Sequence, residues 1–385
     1  MIPYSKQCIN KNDVRAVGKV LKSNFLTQGP MVEKFENKLK KLVGSKYAVA
    51  VNSATSGLHL ACMSLNLKKG DIVWTSINTF VASANCALLC GASVDFVDID
   101  LEDYNLCIEN LKSKLKKAKK NKKLPRVVIP VHFAGRPCKM KEIYSLSKKY
   151  NFKVIEDASH ALGSKIYGSN IGNCQFSDLT VFSFHPVKNI TTGEGGAVTT
   201  NDKKLYEKIQ MLRTHGISKD KKKFVKKNAP PWFFEQKFLG LNYRMNDIEA
   251  ALGLNQISKL SDFIAKRNII ARFYNNKLDK LKLILPKKDK NIINSYHLYP
   301  IRVQSKNCAK LRLKLFNFLR KKKILVNIHY IPVIDHPYFK NHRNKIYPNM
   351  KKYYDSALSI PVFPGLSKKS LNFIIKNIKL IIDEK

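Results

Sequence analysis

A lysine that could form a covalent bond to a carbonyl compound lies in the segment FSFHPVKNITTGEGGAV (182–198), just after an apolar strand pattern. Pro186 forces the chain to turn after His185. Apolar and small residues flank Lys188 over a long window, which most lysines of this chain lack. Burial there would lower its pKa and expose a neutral amine, the form that makes a Schiff base. Most lysines are simply solvated, but the apolar window favours a reactive one.

A carboxylate follows a second strand pattern in VIEDASHALG (154–163), where Asp157 precedes His160 by three residues. A carboxylate at a buried strand end is costly unless a cation or hydrogen bonds compensate it. An Asp that only caps the next turn is an equally good interpretation of this segment alone.

A third segment, VNSATSG (51–57), predicts a strand that runs into a helix opened by small hydroxyl residues. The free N–H groups at such a helix start can bind a phosphate. By itself the pattern also fits an ordinary helix cap.

Strand and helix patterns alternate from about residue 45 to 200, which predicts an α/β fold with a mostly parallel sheet. Helices are predicted at 53–65, 139–150 and 202–213, and a short strand after the glycine-rich loop. The other predicted strands are rich in Val, Ile and Phe and lie at 47–53, 71–76, 93–99, 126–133, 152–159 and 179–185.

The pattern changes after Asn201. A long helix is predicted at 245–278, followed by a strand at 297–303, a helix at 308–323 and a strand at 324–331. We therefore expect a large domain at 1–260 and a smaller C-terminal α+β domain at 261–385.

The composition gives 70 basic residues against 28 acidic ones, a net charge of +42, with 44% hydrophobic residues. The hydrophobic content excludes a disordered chain, and the charge favours anionic ligands in general. The lysine runs at 112–123 and 219–227 almost lack interleaved aromatic residues, so solvated lysine faces are favoured over a nucleic-acid surface.

The eight cysteines form no CxxC pair and no zinc spacing, so no metal site is expected. Cys86 and Cys90 are interpreted as buried thiols on one helical face. No signal peptide or membrane span is predicted, and we expect a cytoplasmic protein.

The chain resembles the DegT/StrS family of nucleotide-sugar aminotransferases over essentially its whole length. The motifs NSATSGLHL, EDASHALGS, SFHPVKNITTGEGGAV and GLNYRMNDIEAALG carry the resemblance, because they occur in the family's order and approximate spacing. It implies fold type I of the pyridoxal-phosphate enzymes, the aspartate aminotransferase-like fold. It also implies pyridoxal 5'-phosphate as cofactor and a homodimer with shared active sites.

The same resemblance implies a role for each cofactor-binding residue. Lys188 would hold the cofactor as a Schiff base and act as general base, and Asp157 would pair with the pyridine nitrogen. The others would contact the ring or the phosphate: His160 beside the ring hydroxyl, Phe80 stacked on the ring, Ser183, Ala54 and Thr55 at the phosphate, and Asn242 at the phosphate of the neighbouring subunit.

Within the family, the run from His185 to Asp202 is most similar to the transaminases of pseudaminic acid biosynthesis. Those enzymes act on a UDP-linked 4-keto-6-deoxy sugar derived from N-acetylglucosamine, and L-glutamate is the family's usual amine donor. The implied sugar-nucleotide contacts are Tyr4, Asn24, Phe25, Leu26, Thr27, Tyr330, Ile331, Pro332 and Val333. Alternatively, Tyr330 packs at a strand end and the NFLT segment is only a turn that ends a helix.

The chain departs from those enzymes at Asn189, where proline is usual, at Gly193, where alanine is common, and in a longer loop at 217–238. These departures bear on the substrate, and together with the net charge of +42 they leave two alternatives. One is the same reaction on a GDP- or dTDP-linked 4-keto-6-deoxyhexose. The other, of a different class, is a basic nucleic-acid-binding or regulatory protein on an aminotransferase scaffold, which would have lost the cofactor residues.

Overall fold

The computed structural model describes residues 1–342 and 344–383. The strands are β1 (Tyr47–Val51), β2 (Ile72–Ser76), β3 (Ser93–Val97), β4 (Val127–Ile129), β5 (Lys153–Asp157), β6 (Lys165–Ile166), β7 (Ser169–Asn170), β8 (Leu179–Ser183), β9 (Gly196–Thr200), β10 (Ile217–Ser218), β11 (Glu235–Gln236), β12 (Leu283–Ile284), β13 (Ile292–Ile293), β14 (Tyr299–Val303) and β15 (Ala357–Ile360).

The α-helices are α1 (Lys11–Leu21), α2 (Pro30–Val43), α3 (Ala54–Ser64), α4 (Ala82–Leu89), α5 (Ile108–Lys120), α6 (Met140–Tyr150), α7 (Lys203–Leu212), α8 (Asp247–Ile257), α9 (Leu260–Leu278), α10 (Cys308–Lys321), α11 (Pro348–Ser356) and α12 (Lys368–Ile382). Short 3-10 helices lie at Phe133–Gly135, Lys221–Lys223, Val333–Asp335 and Pro337–His342. No helix among the described residues is both long and apolar enough to cross a membrane.

The central sheet has seven strands in the order β1-β9-β8-β5-β4-β2-β3. The pairs from β8 to β3 are parallel, and β9 is antiparallel to both of its neighbours. Helices such as α3 and α6 connect the strands, and the inner strands are buried because helices cover both faces. The predicted α/β class with a mostly parallel sheet is confirmed, and the predicted strands match to within a few residues.

A second core surrounds the small sheet β12-β14-β15 near the C-terminal end. Tyr274 of α9, Tyr299 of β14, Leu315 of α10 and Ile374 of α12 are fully buried there. This is the α+β arrangement expected for the smaller domain. The division at residue 260 falls at the start of α9, and it stays a prediction.

The single long helix predicted at 245–278 is wrong, because α8 ends at Ile257 and α9 begins at Leu260. At the break, the hydroxyl of Ser258 donates to the carbonyl of Asn255 at 2.6 Å, which competes with the helical backbone pattern.

The strand predicted at 324–331 is also wrong, since only isolated bridges form there, at Ile324 and at Asn327. β15 takes the place beside β14, and the hydroxyl of Tyr353 donates to the carbonyl of His329 at 2.9 Å. The segment is thereby held as an irregular wall next to the site described below.

Candidate active site

A cavity of about 610 Å³ lies at the carboxyl ends of β5 and β8, beside the N-terminus of α3. Carboxyl ends of parallel strands are the usual place for a site in such sheets. Ten of the predicted site residues line it: Tyr4, Ala54, Thr55, Phe80, Asp157, His160, Ser183, Lys188, Tyr330 and Ile331.

Lys188 lies on the turn that follows β8, where its amide donates to the carbonyl of His185 at 2.9 Å. Burial lowers the pKa of its amine to about 8, although the negative charge of Asp157 acts in the opposite direction. A substantial fraction of the amine is therefore neutral near physiological pH, as a nucleophile requires. The N-terminal segment reinforces this turn, because the hydroxyl of Ser5 donates to the carbonyl of Val187 at 3.0 Å.

Asp157 ends β5 and is only 5% exposed. Its Oδ2 accepts a hydrogen bond from the hydroxyl of Ser83 at 2.6 Å, and its Oδ1 accepts one from the amide of Ser159 at 3.1 Å. These donors offset the cost of burying a carboxylate. The carboxylate reaches the cavity wall with its orientation already set.

His160 is held between two partners that define its protonation state. The amide of Ala134 donates to Nδ1 at 3.2 Å, so the ring proton lies on Nε2, which is 3.0 Å from the hydroxyl oxygen of Tyr330. Burial lowers the pKa of His160 well below its usual value, and the charges of Lys188 and His329 add to the effect. The ring is therefore neutral.

An anion-binding corner is formed by the start of α3 and the end of β8. The hydroxyl of Ser53 caps α3 by accepting from the amide of Ser56, which leaves the first-turn amides of Ala54 and Thr55 facing the cavity. Ser183, at the end of β8, adds a hydroxyl group. Together they provide what a phosphate group requires.

Aromatic side chains form the walls of the cavity. Phe80 is 59% exposed, and its ring centroid lies 6.1 Å from that of Tyr330. Tyr4 packs on the ring of His329 at 5.4 Å on the side of the N-terminal segment. A flat ligand with an anionic group therefore fits between the apolar walls and the polar floor.

The remaining predicted site residues do not line this cavity in the single chain. The segment from Asn24 to Thr27 (Asn24, Phe25, Leu26, Thr27) is exposed, and Asp247 anchors it by donating its amide to the carbonyl of Leu26 at 3.0 Å. Asn242 is exposed and bridges Thr214 through the backbone.

The last part of the predicted sugar-contact segment also lies off the cavity wall. Val333 is fully buried in the core of the large sheet, and Pro332 likewise is not on the wall. Only Tyr330 and Ile331 of that segment face the cavity.

Sequence reasoning missed several residues of the site, namely Thr79, Ser83, His297 and His329. The ring centroids of His297 and His160 lie 4.3 Å apart. Nδ1 of His329 and the hydroxyl oxygen of Ser359 lie 2.9 Å apart and share a hydrogen bond. For Thr79 and Ser83 the sequence held a signal, because both are hydroxyl residues in the mostly apolar segment 77–94 and a buried hydroxyl group needs a partner.

The structure gives Asn189, where the family resemblance leads us to expect a proline, a local role. Its Nδ2 donates to the carbonyls of Leu162 at 2.7 Å and His160 at 3.2 Å. It thereby ties the lysine turn to the segment that carries His160, which a proline could not do.

The arrangement combines a partly neutral amine, a carboxylate held by hydrogen bonds and an anion-binding corner around one cavity. Such a set can form a covalent imine with an anionic carbonyl compound and move a proton beside it.

Comparisons with known proteins agree with this chemistry. The DegT/DnrJ/EryC1/StrS aminotransferase family matches residues 7–379. The UDP-4-amino-4,6-dideoxy-N-acetyl-beta-L-altrosamine transaminase of Campylobacter jejuni is 40% identical over 387 residues, which is 100% of this chain and 98% of the relative. Helicobacter pylori PseC, an aminotransferase of pseudoaminic acid biosynthesis, superposes with a TM-score of 0.90 at 30% identity over the whole of both chains. The putative sugar aminotransferase Spr1654 of Streptococcus pneumoniae in its PLP form gives 0.88 at 26% identity, covering 100% of this chain and 99% of that one.

Proposed function

This chain belongs to the DegT/DnrJ/EryC1/StrS aminotransferase family, and we propose that it uses pyridoxal 5'-phosphate to move an amino group from L-glutamate to a sugar nucleotide. The acceptor we propose is C4 of a UDP-linked 4-keto-6-deoxy-N-acetylhexosamine. The product would be UDP-4-amino-4,6-dideoxy-N-acetyl-β-L-altrosamine. The observation that carries the substrate assignment is the 40% identity to an enzyme named for that product.

The residues of the cavity fit the cofactor by the chemistry of their donors and acceptors. Lys188 supplies an amine whose pKa of about 8 suits imine formation, and Asp157 supplies a carboxylate for the pyridine nitrogen. The amides of Ala54 and Thr55 and the hydroxyl of Ser183 suit the phosphate.

When bound, pyridoxal 5'-phosphate supplies the electron sink that allows a proton to leave the carbon bearing the amino group. Lys188 would hold the cofactor, and its free amine would act as base for the proton on the α-carbon of glutamate and as acid toward C4 of the sugar. Asp157 would keep the pyridine nitrogen protonated, while the neutral His160 keeps its own proton on Nε2.

We also propose a homodimer in which Asn242 reaches the partner's phosphate site. Exposed apolar side chains support an interface, among them Phe25, Trp232 and Leu239. In hybrids of Lys188→Ala with Asn242→Ala subunits, one site of each dimer would regain both native residues. A mixture more active than the sum of its two parents supports the shared site, and strict additivity contradicts it.

The substrate is tested with enzyme that glutamate has first converted to its pyridoxamine form. Addition of the UDP-linked 4-keto sugar should restore the visible absorbance of the pyridoxal form, and GDP- or dTDP-linked 4-keto sugars should not. If the glutamate half-reaction is normal but the UDP sugar does not restore the visible absorbance, this substrate is rejected and the assignment as an aminotransferase stands.

A further inference from the structure

Two buried hydroxyl groups extend from Asp157 along the cavity wall, which Thr79 helps to form. The hydroxyl of Ser83 lies 2.6 Å from Asp157 Oδ2, and Thr79 Oγ1 lies 2.7 Å from Ser83 Oγ. Ser83 is fully buried and Thr79 almost so. Bulk water therefore does not compete for these bonds.

The direction of the chain follows from the number of protons available. An ionised carboxylate only accepts hydrogen bonds, so the single hydroxyl proton of Ser83 is donated to Asp157. Ser83 can then only accept from Thr79, whose hydroxyl is the donor of that bond. The relay runs from Thr79 through Ser83 to Asp157, and hydrogen bonds in series strengthen one another.

The same short segment also presents the aromatic wall. Phe80 lies between Thr79 and Ser83 in sequence and faces the cavity with 59% of its side chain exposed. The amide of Ser83 donates to the carbonyl of Phe80 at 3.2 Å, so the turn that directs the ring outward also directs the hydroxyl group inward. One segment thus supplies both an aromatic residue of the wall and the hydroxyl group that donates to the carboxylate.

We propose that Ser83, supported by Thr79, is a positioning residue that holds the Asp157 carboxylate in the orientation needed to keep a proton on the pyridine nitrogen of the cofactor. The amide of Ser159 donates to Oδ1 and the hydroxyl of Ser83 donates to Oδ2, so the two donors together restrict rotation of the carboxylate. This inference rests on the proposed use of pyridoxal 5'-phosphate.

The test uses the full-length holoenzyme with Ser83→Ala, Ser83→Thr and Thr79→Val. Three quantities are measured: the dissociation constant of pyridoxal 5'-phosphate, kcat, and the ¹⁵N chemical shift of the ring nitrogen of labelled cofactor at one fixed pH. Loss of a hydrogen bond to a charged group corresponds to about a tenfold to hundredfold effect. We expect Ser83→Ala to weaken cofactor binding and lower kcat by that factor and to move the ¹⁵N shift toward the unprotonated value. Ser83→Thr should restore all three.

A matched control is Ser64→Ala, because Ser64 is equally buried but donates to the carbonyl of Ala61 within α3, at 2.8 Å. It should leave the ¹⁵N shift and the cofactor affinity unchanged. An equal effect of Ser64→Ala, or no rescue by Ser83→Thr, would reduce the role of Ser83 to packing and overturn the inference.

Should Ser83→Ala fail to fold, Thr79→Val decides the question, since valine has nearly the same shape as threonine. We expect cofactor binding weakened about twofold to tenfold and a partial ¹⁵N shift; parental values would overturn the inference. If the parent enzyme binds no pyridoxal 5'-phosphate, the proposed function fails, and this inference fails with it. If the parent enzyme binds the cofactor and the variants match it in all three measurements, only the inference about Ser83 and Thr79 fails.

Discussion

The floor of the cavity and the exposed segment 24–27 differ in whether a single chain places them at the cavity. At the floor, Asp157 and Ser183 end strands of the central sheet, and each is buried. The segment 24–27 and Asn242, by contrast, are exposed and do not line the cavity in the single chain. Asp157 and Ser183, proposed to contact the cofactor, are thus placed at the cavity by one chain, whereas of the residues proposed to contact the sugar only Tyr4, Tyr330 and Ile331 line it.

The difference follows from what each part must do. Groups that act on a proton need fixed positions and a low dielectric, which strands and buried hydrogen bonds provide. Groups that select among sugar nucleotides lie on loops, where sequence varies without disturbing the core. Substitutions at the floor should therefore have large effects on both half-reactions, and those in the segment 24–27 should have small effects on one.

The largest effect is expected for Lys188→Ala. Without the amine, the protein loses both the covalent attachment and the base, and we expect turnover to fall at least about a thousandfold with the fold retained. Steady-state kinetics measure the turnover, and circular dichroism shows whether the fold is retained. The control is Lys208→Ala, because burial also lowers the pKa of Lys208, yet its amine donates to the carbonyl of Ser64 outside the cavity. Retained turnover in Lys188→Ala would contradict the lysine assignment.

Asp157→Ala is expected to have the next largest effect. An opposite charge within a few ångströms shifts a pKa by about 1 to 3 units, so kcat should fall about tenfold to a thousandfold in both half-reactions. Stopped-flow absorbance with glutamate and with the sugar separately measures this. A wild-type rate in either half-reaction would mean that another group keeps the ring nitrogen protonated.

The pH dependence of cofactor attachment tests the electrostatics of the floor. Because the pKa of Lys188 is about 8, the neutral fraction of its amine falls about tenfold for each pH unit below 8. The rate at which cofactor-free protein takes up pyridoxal 5'-phosphate should rise with pH and level off above about 8. Since Asp157 raises the pKa of this amine, Asp157→Asn should move the midpoint lower. A midpoint near the ordinary value of 10.5 would contradict a buried amine.

The lowered pKa of Lys188 also makes the stability of the cofactor-free protein depend on pH. Between about pH 8 and 10.5 the unfolded chain binds more protons at Lys188 than the folded one. This group therefore raises the free energy of unfolding of the cofactor-free protein as pH rises through that window.

The sequence was sufficient to predict the floor because its residues follow strand patterns directly. Lys188, Asp157 and the start of α3 lie next to apolar runs, so their place at the strand ends follows from the alternation of strand and helix. The hydroxyl relay was not predicted, because the partner of Ser83 lies 74 residues away in sequence. Contacts of that kind depend on which strands become neighbours.

The small sheet shows a similar limit. The segment 324–331 has the apolar pattern of a strand, but β15 pairs with β14 instead, through residues as far apart as Tyr299 and Ile360. Local pattern cannot rank two segments that compete for one sheet edge.

The smallest effect is expected for Asn24→Ala and Thr27→Ala in the exposed segment 24–27. A neutral hydrogen bond contributes about 0.5 to 1.5 kcal/mol, so each variant should raise the KM for the sugar nucleotide about twofold to tenfold. The glutamate half-reaction should be unchanged, because the floor is intact. Asn121→Ala, at the exposed end of α5, is the control.

If the glutamate half-reaction slows to the same extent, the segment 24–27 acts through the floor of the cavity. The distinction drawn between the floor and the segment 24–27 would then be wrong. An unchanged KM would assign the segment to the turn between α1 and α2 alone, anchored by Asp247 and without contact to the sugar.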